Sequence, residues 1–320
     1  MRRGESGINC LLAINKPVGP SSHDVVGRVR RALGERRVGH AGTLDPAASG
    51  VLVVGVGQGA RLLGMLTLDE KAYEARIDFG TETTTDDAEG EVKDVRPIPP
   101  ELSDEVFAAQ TVHALVGEHE QVPPSFSAIS VNGKRAYAQA RSGEEVTLPA
   151  RHVTIYEARL LGVECDGERL SWYIYVHVSK GTYVRSIARD LGCALGTAAH
   201  LGELARVSSG SVGLEDCLDL SELEKLGTSA IPTRCLDPLA ALGMPFRVLT
   251  DGETRDVLCG RRIDAGLCVD RTGAVREPRR GERISLVKGD SLVGVWRQRG
   301  SVLVSEATFP AGIVGVRRRA

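Results

Sequence analysis

Residues 152–178 read HVTIYEARLLGVECDGERLSWYIYVHV, and the way this stretch pairs decides the fold. His152–Val163 and Arg169–Val178 are rich in β-branched and aromatic residues and alternate apolar with polar positions. Asp166-Gly167 sits between them as a turn signal. Strands joined this closely form a hairpin, because a parallel crossover needs a dozen or more residues. Elsewhere helical and strand patterns interleave, but no run of strand–helix–strand units appears. The expected class is α+β, with a mixed, largely antiparallel sheet flanked by helices.

Upstream, Leu11–Ile14 reads as a buried strand, and Ser21 and Asp24 have capping-box spacing before a helix carrying Val25, Val29, Ala32 and Leu33, ended by Gly34. Gly39–Gly50 reads as a glycine-punctuated loop, Val51–Val54 as a strand and 60–68 as a helix. Ala72–Phe79 alternates as a strand, Gly80–Gly90 is a loop, Asp104–Leu115 a helix and Phe126–Val131 a strand before an Asn132-Gly133 turn. Downstream, helices are expected over Thr182–Leu195 and Ala199–Arg206, and Ser221 and Glu224 repeat the capping-box spacing. Three prolines in 228–245 mark a linker, and the short alternating segments after it read as a small β-barrel. The expected division is 1–230 as one domain, 231–245 as linker and 246–320 as the barrel.

The chain has 320 residues, 42% hydrophobic and 26% charged, which excludes a disordered protein and suits two domains. No apolar run approaches the roughly 20 residues of a membrane helix, and 1–7 lack the apolar stretch of a signal peptide. A chain in the cytoplasm, without a membrane partner, is expected. The seven cysteines are odd in number and widely spaced without C-x-x-C, and the histidines form no H-x-x-x-H pair, so neither disulfides nor a metal are expected. Net charge is -2, at first sight unlike a nucleic-acid binder. Locally, 1–40 carries +5 and 261–320 carries +7, against -9 over 69–105. Two basic ends cancel one acidic stretch, so the bulk charge does not exclude a polyanionic partner.

Gly55-Val56-Gly57-Gln58-Gly59-Ala60 follows a strand, with Asp78 some way on, and so satisfies a dinucleotide-binding fingerprint. Hairpins in place of further parallel units count against that reading.

Three segments carry the chemistry. Gly39-His40-Ala41-Gly42-Thr43-Leu44-Asp45-Pro46 puts a histidine and a carboxylate in one loop. Ser179-Lys180-Gly181-Thr182-Tyr183-Val184-Arg185 places Arg185 in a first helical turn, which the helix dipole disfavours unless an anion is near. Lys71-Ala72-Tyr73 offers an aromatic face at a strand start. With Asn15-Lys16-Pro17-x-Gly19-x-Ser21-Ser22, Gly57-x-Gly59-x-Arg61, Pro123-Pro124-x-x-Ser127-Ala128 and Ala140-Arg141-x-Gly143, these segments in this order resemble the tRNA pseudouridine synthase B (TruB) family over about 8–225.

The resemblance implies the pseudouridine-synthase fold and an enzyme that isomerises uridine to pseudouridine at position 55, in the T loop of tRNA, without metal or organic cofactor. It puts the catalytic aspartate on Asp45, the base-stacking tyrosine on Tyr73 and the arginine that pairs with the nucleophile on Arg185. It puts a second active-site tyrosine on Tyr183, a pocket leucine on Leu204 and the histidine that replaces the flipped base on His40. Lys16 and Pro17 match residues supporting the catalytic loop, and Lys180 and Asp87 fall within matched motifs. The barrel loosely resembles a PUA-type RNA-binding domain. The usual T-D-T-x-D run reads Thr83-Thr84-Thr85-Asp86-Asp87 and the usual L-R-R reads Leu204-Ala205-Arg206, departures that bear on local RNA contacts. The expected partner is the tRNA T arm, with no obligatory protein partner and a monomer as the default. A catalytically silent RNA-binding module is the alternative, and it has no need of Asp45, Tyr73 and Arg185 together.

Overall fold

The computed structural model describes residues 6–66, 70–126, 130–131, 134–135, 148–167 and 169–317. They divide into two compact units: Met1–Pro46, Gly50–Leu68 and Ser208–Ala320 in the first, Ala47–Ser49 and Asp69–Val207 in the second.

The first unit opens with β1 (Cys10–Lys16), α1 (Ser22–Leu33), β2 (Val38–Ala41) and β3 (Ala48–Val56). β1 runs antiparallel to β3, with Cys10 opposite Val56 and Lys16 opposite Gly50, and Leu218–Asp219 joins its other edge in parallel. The expected capping box is present: Ser21 and Asp24 bond reciprocally, and Gly34 ends α1 in the left-handed region at φ 61°. Val25, Val26, Val29 and Leu33 form its buried stripe.

The expected 39–50 loop is shorter than its composition implies. β2 pairs with β3, His40 opposite Val54, because a short edge strand can be polar and still be held by its ladder. The fingerprint glycines serve chain packing. A Cβ on Gly57 would lie 2.2 Å from the Ile8 carbonyl oxygen, and one on Gly59 would lie 2.1 Å from that of Cys10. The helix expected after them is a 3-10 segment, Gly57–Leu62, and a single turn, Leu63–Leu66.

Glu35 ties Ser6 to this unit. Its buried carboxylate accepts from the Ser6 N–H at 2.9 Å, the Ser6 hydroxyl at 3.1 Å and the Arg37 N–H at 3.0 Å. Burial alone would raise its pKa, but these donors and the Arg37 charge outweigh burial and hold it below the ordinary 4.5. The folded state therefore binds fewer protons here than the unfolded one. Its stabilisation is present above about pH 4.5 and fades as acid protonates the folded carboxyl. Glu35→Gln is expected to cost about 1–3 kcal/mol at pH 7, and in urea titrations the gap from wild type should narrow as acid protonates the folded carboxyl.

The second unit contains β4 (Lys71–Phe79), β5 (Thr81–Thr83), β6 (Val92–Val95), α2 (Glu105–His113), β7 (Gly117–Gln121), β8 (Arg151–Asp166), β9 (Arg169–Val178), α3 (Val184–Ala194) and β10 (Ala199–Ser209, to Val207 in this unit). Its sheet runs β10-β4-β9-β8-β7. The deciding hairpin is as expected: β8 and β9 pair antiparallel from Asp166 opposite Arg169 to Ile155 opposite Val178, and Gly167 turns at φ 61°. Along β9, Leu170, Trp172, Ile174, Val176 and Val178 are buried, while the residues between them are half-exposed. Trp172 stacks edge-on to Phe79 at 4.8 Å and donates to the Leu102 carbonyl at 2.8 Å. Ser130–Val131 pairs with Lys134–Arg135 around the expected turn, whose residues 132–133 lie outside those described.

Ala199–Arg206 is not a helix but β10. Leu201, Leu204 and Ala205 fit helical spacing, yet Ala199 and Leu201 also fit a strand, and sheet pairing prevails. Gly202 shows the constraint, since a Cβ there would lie 2.3 Å from Asp78 Oδ2.

The first unit resumes with α4 (Leu220–Leu226), α5 (Ile231–Arg234) and α6 (Pro238–Leu242). The capping box expected at Ser221 is absent. Asp219 stands at the cap, and Glu224 instead accepts two bonds of 2.6 Å from Arg28. Residues 231–245 do not form an open linker, because Ile231, Cys235, Leu236, Ala241 and Leu242 are buried. There Pro232 and Pro238 lie in the first turns of helices, a position that costs no hydrogen bond.

Then follow β11 (Phe246–Val248), α7 (Asp251–Leu258), β12 (Ile263–Asp264), β13 (Cys268–Val269), β14 (Val275–Arg276), β15 (Arg283–Lys288), β16 (Ser291–Arg299) and β17 (Val302–Val314). They make one sheet in the order β12-β17-β16-β15-β11-β13-β14. α7 was not expected, although Thr250 and Glu253 form a full capping box. Trp296, Ile284, Leu286 and Leu303 fill the local core. Val287, Leu292, Val295, Phe309 and Ile313 pack instead with Leu11, Ala13, Val51 and Val53 of β1 and β3. Among the described residues no helix is long and apolar enough to cross a membrane.

Candidate active site

Lys16, Pro17, His40 and Asp45 belong to the first unit. Tyr73, Asp87, Lys180, Tyr183, Arg185 and Leu204 belong to the second. Within the first unit, His40 lies half-buried on β2 and Asp45 half-buried on the turn that follows. Lys16 ends β1 and is fully buried, a setting that requires partners for an ammonium group. It donates to the Pro17 carbonyl at 2.9 Å and the Pro46 carbonyl at 3.2 Å. The Gly19 N–H also donates to the Pro46 carbonyl, at 2.9 Å. On the other side of Asp45, Ser22 bonds the backbone of Leu44. Lys16, Pro17 and Asp45 are thus gathered by the β1–α1 connection.

In the second unit, Tyr73 sits on β4 opposite Val176 and is 8% exposed. Arg185 lies in the first turn of α3, buried. The anion that the helix dipole calls for is Asp87, 3.3 Å away. Arg185 also donates to the carbonyls of Thr85 and Phe126, each at 3.1 Å. One turn on, Arg189 pairs with Asp86 at 2.8 Å. Neighbouring carboxylates thus meet arginines at i and i+4 of one helix. Asp86 manages this at φ 61°, a left-handed conformation that aspartate tolerates better than most residues. Burial leaves its carboxyl above the ordinary aspartate range despite the Arg189 and Arg185 charges.

Tyr183 caps α3, and the Gln121 side chain holds its backbone from both sides: Gln121 Oε1 accepts from the Tyr183 N–H at 2.8 Å and Nε2 donates to the Tyr183 carbonyl at 3.1 Å. Lys180 is exposed on the preceding turn, and Leu204 is half-buried on β10, a strand rather than the expected helix.

Sequence reading missed Ser22, Gln121, Asp86 and Arg189 as parts of these arrangements. Asp86 and Arg189 carried no local signal, since they meet across 103 residues. Gln121 had none, since it meets Tyr183 across 62 residues. Among the described residues no three His, Cys, Asp or Glu side chains form a metal-binding group.

A family model described as TruB family pseudouridylate synthase, N-terminal domain, matches residues 30–184. A relative from Thermobifida fusca named tRNA pseudouridine synthase B is 48% identical over 79% of this chain and 86% of its own length. The chain belongs to the TruB family. Another relative of that name, from Leifsonia xyli, is 42% identical over 94% of this chain and 96% of its own. In the crystal structure of the archaeal box H/ACA sRNP Nop10-Cbf5 complex, a chain 23% identical superposes with TM-score 0.65, covering 94% of this chain and 86% of that one. That likeness places this chain in the pseudouridine-synthase fold, with the C-terminal sheet as a PUA-like part.

Proposed function

We propose that this chain isomerises uridine to pseudouridine at position 55, in the T loop of tRNA, with Asp45 as nucleophile and without metal or organic cofactor. The observation that carries the reading is the pair of relatives named tRNA pseudouridine synthase B, alike over most of both chains. The ordered backbone on either side of Asp45 supports it residue by residue.

The reaction breaks the bond between ribose C1′ and uracil N1, turns the base and forms a bond from C1′ to C5. The proton on C5 is lost and N1 gains one, so no electrons are exchanged with another reactant. Asp45 assists either by attacking the ribose or by adding to the ring. Tyr73 stacks on the base, and its hydroxyl is suited to carry the C5 proton. Arg185 holds charge balance at the nucleophile, and Tyr183 and Leu204 line the base pocket. Extruding the uridine costs roughly a few kcal/mol, and His40 fills the gap it leaves. Lys16 and Pro17 support the catalytic loop, while Lys180 and Asp87 organise the RNA-facing edge. Residues 1–230 form the catalytic domain, 231–245 the junction and 246–320 the RNA-binding part, whose exposed Arg262, Arg271, Arg279, Arg280 and Arg299 suit phosphate contact. The enzyme acts as a cytoplasmic monomer.

The test is incubation with unmodified T-arm RNA and no added cofactor, followed by a pseudouridine assay. Isomerisation confined to the T-loop uridine is expected. RNA binding with no pseudouridine formed would leave a silent binding module and overturn the proposal.

A further inference from the structure

Ser22 is the first residue of α1, 2% exposed, and the capping role beside it belongs to Ser21. Its hydroxyl accepts from the Leu44 N–H at 2.9 Å and donates to the Leu44 carbonyl at 2.9 Å. One oxygen thus satisfies both polar groups of the residue immediately before Asp45. A hydroxyl can do this because it is donor and acceptor at one atom. The residue after Asp45 is held as firmly, its carbonyl accepting from Gly19 and Lys16. Every anchor lies within Lys16–Ser22, where β1 gives way to α1. The aspartate's main chain therefore has little freedom to rotate, and its carboxylate takes its direction from that backbone.

We propose that Ser22 is a positioning residue for catalysis, setting the aim of the Asp45 carboxylate through the Leu44 peptide groups. This rests on Asp45 being the nucleophile. A misplacement of about 1 Å at a reacting group is enough to cost about 100-fold in rate. Binding of RNA does not depend on that aim, so the loss falls on the chemical step.

The experiment compares Ser22→Ala, Ser22→Thr, Ser22→Cys and Asp45→Asn, with single-turnover rates at saturating enzyme, RNA affinity by filter binding and urea midpoints. Ser22→Ala should slow turnover about 10–100-fold while affinity stays within about twofold. Ser22→Thr, which keeps the hydroxyl, should recover most of the rate. Where Ser22→Ala does not fold, Ser22→Cys keeps the volume and weakens both bonds, and a rate about tenfold down is expected. Wild-type turnover by folded Ser22→Ala or Ser22→Cys, with Asp45→Asn inactive, overturns the positioning role alone. Full turnover by Asp45→Asn overturns the nucleophile assignment and this inference with it.

Discussion

Asp45→Asn is expected to abolish pseudouridine formation, by at least about 10^4-fold, while RNA affinity changes little. Losing an enzyme's nucleophile is felt on that scale because the residual rate comes only from binding and orientation. Asparagine keeps the shape of the side chain but carries no charge to assist departure of the base. The anchoring of Leu44 and Pro46 uses backbone groups and the side chains of Ser22 and Lys16, none of which the substitution removes. The variant should therefore fold like wild type and hold the same RNA. A single-turnover assay with excess enzyme, paired with an affinity measurement, separates the two properties. Substantial residual isomerisation would remove Asp45 from the mechanism.

Arg185→Lys is expected to slow turnover by about 100-fold or more, and it should also cost stability. The guanidinium reaches Asp87 and the Thr85 and Phe126 carbonyls at once. An ammonium is a point charge and cannot span that set from one position. With a carbonyl left unsatisfied, the expected loss is about 1–3 kcal/mol. Arg185→Ala strands a buried carboxylate as well and should cost about 3–5 kcal/mol. Urea denaturation reads these costs, and a double-mutant cycle with Asp87→Asn isolates the pair. An unchanged denaturation midpoint in Arg185→Lys would show that these contacts do not hold α3 to the 83–90 loop.

What was legible in the sequence followed from local chemistry. The β8–β9 hairpin was visible because its alternation and its turn residues agree. The capping box of α1 was visible because both partners lie three residues apart. What was hidden depended on distant neighbours. Ala199–Arg206 has a composition that serves either a strand or a helix, and its place in the sheet settled the matter. The prolines of 231–245 look like punctuation until the buried side chains between them are seen. At the site, Asp45, Tyr73 and Arg185 came from motif resemblance, and Arg185 alone also carried a physical signal, its position at a helix start. The hold of Gln121 on Tyr183 and of Ser22 on Leu44 spans 62 and 22 residues, beyond the reach of any local pattern.

The packing of β17 against the start of the chain sets a timetable. The Val314 N–H donates to the Asn9 carbonyl at 2.9 Å, and Ile313 and Phe309 share a core with Leu11 and Val53. On a ribosome, β1 and β3 emerge some 250 residues before the strands that complete their core. Until those strands are made, the apolar surface they cover stays open, and a pause before that point prolongs the exposure that leads to aggregation. The Asp45 loop, carried between β1 and β3, thus hangs on two strands whose core is complete only once β17, far along the chain, has joined it.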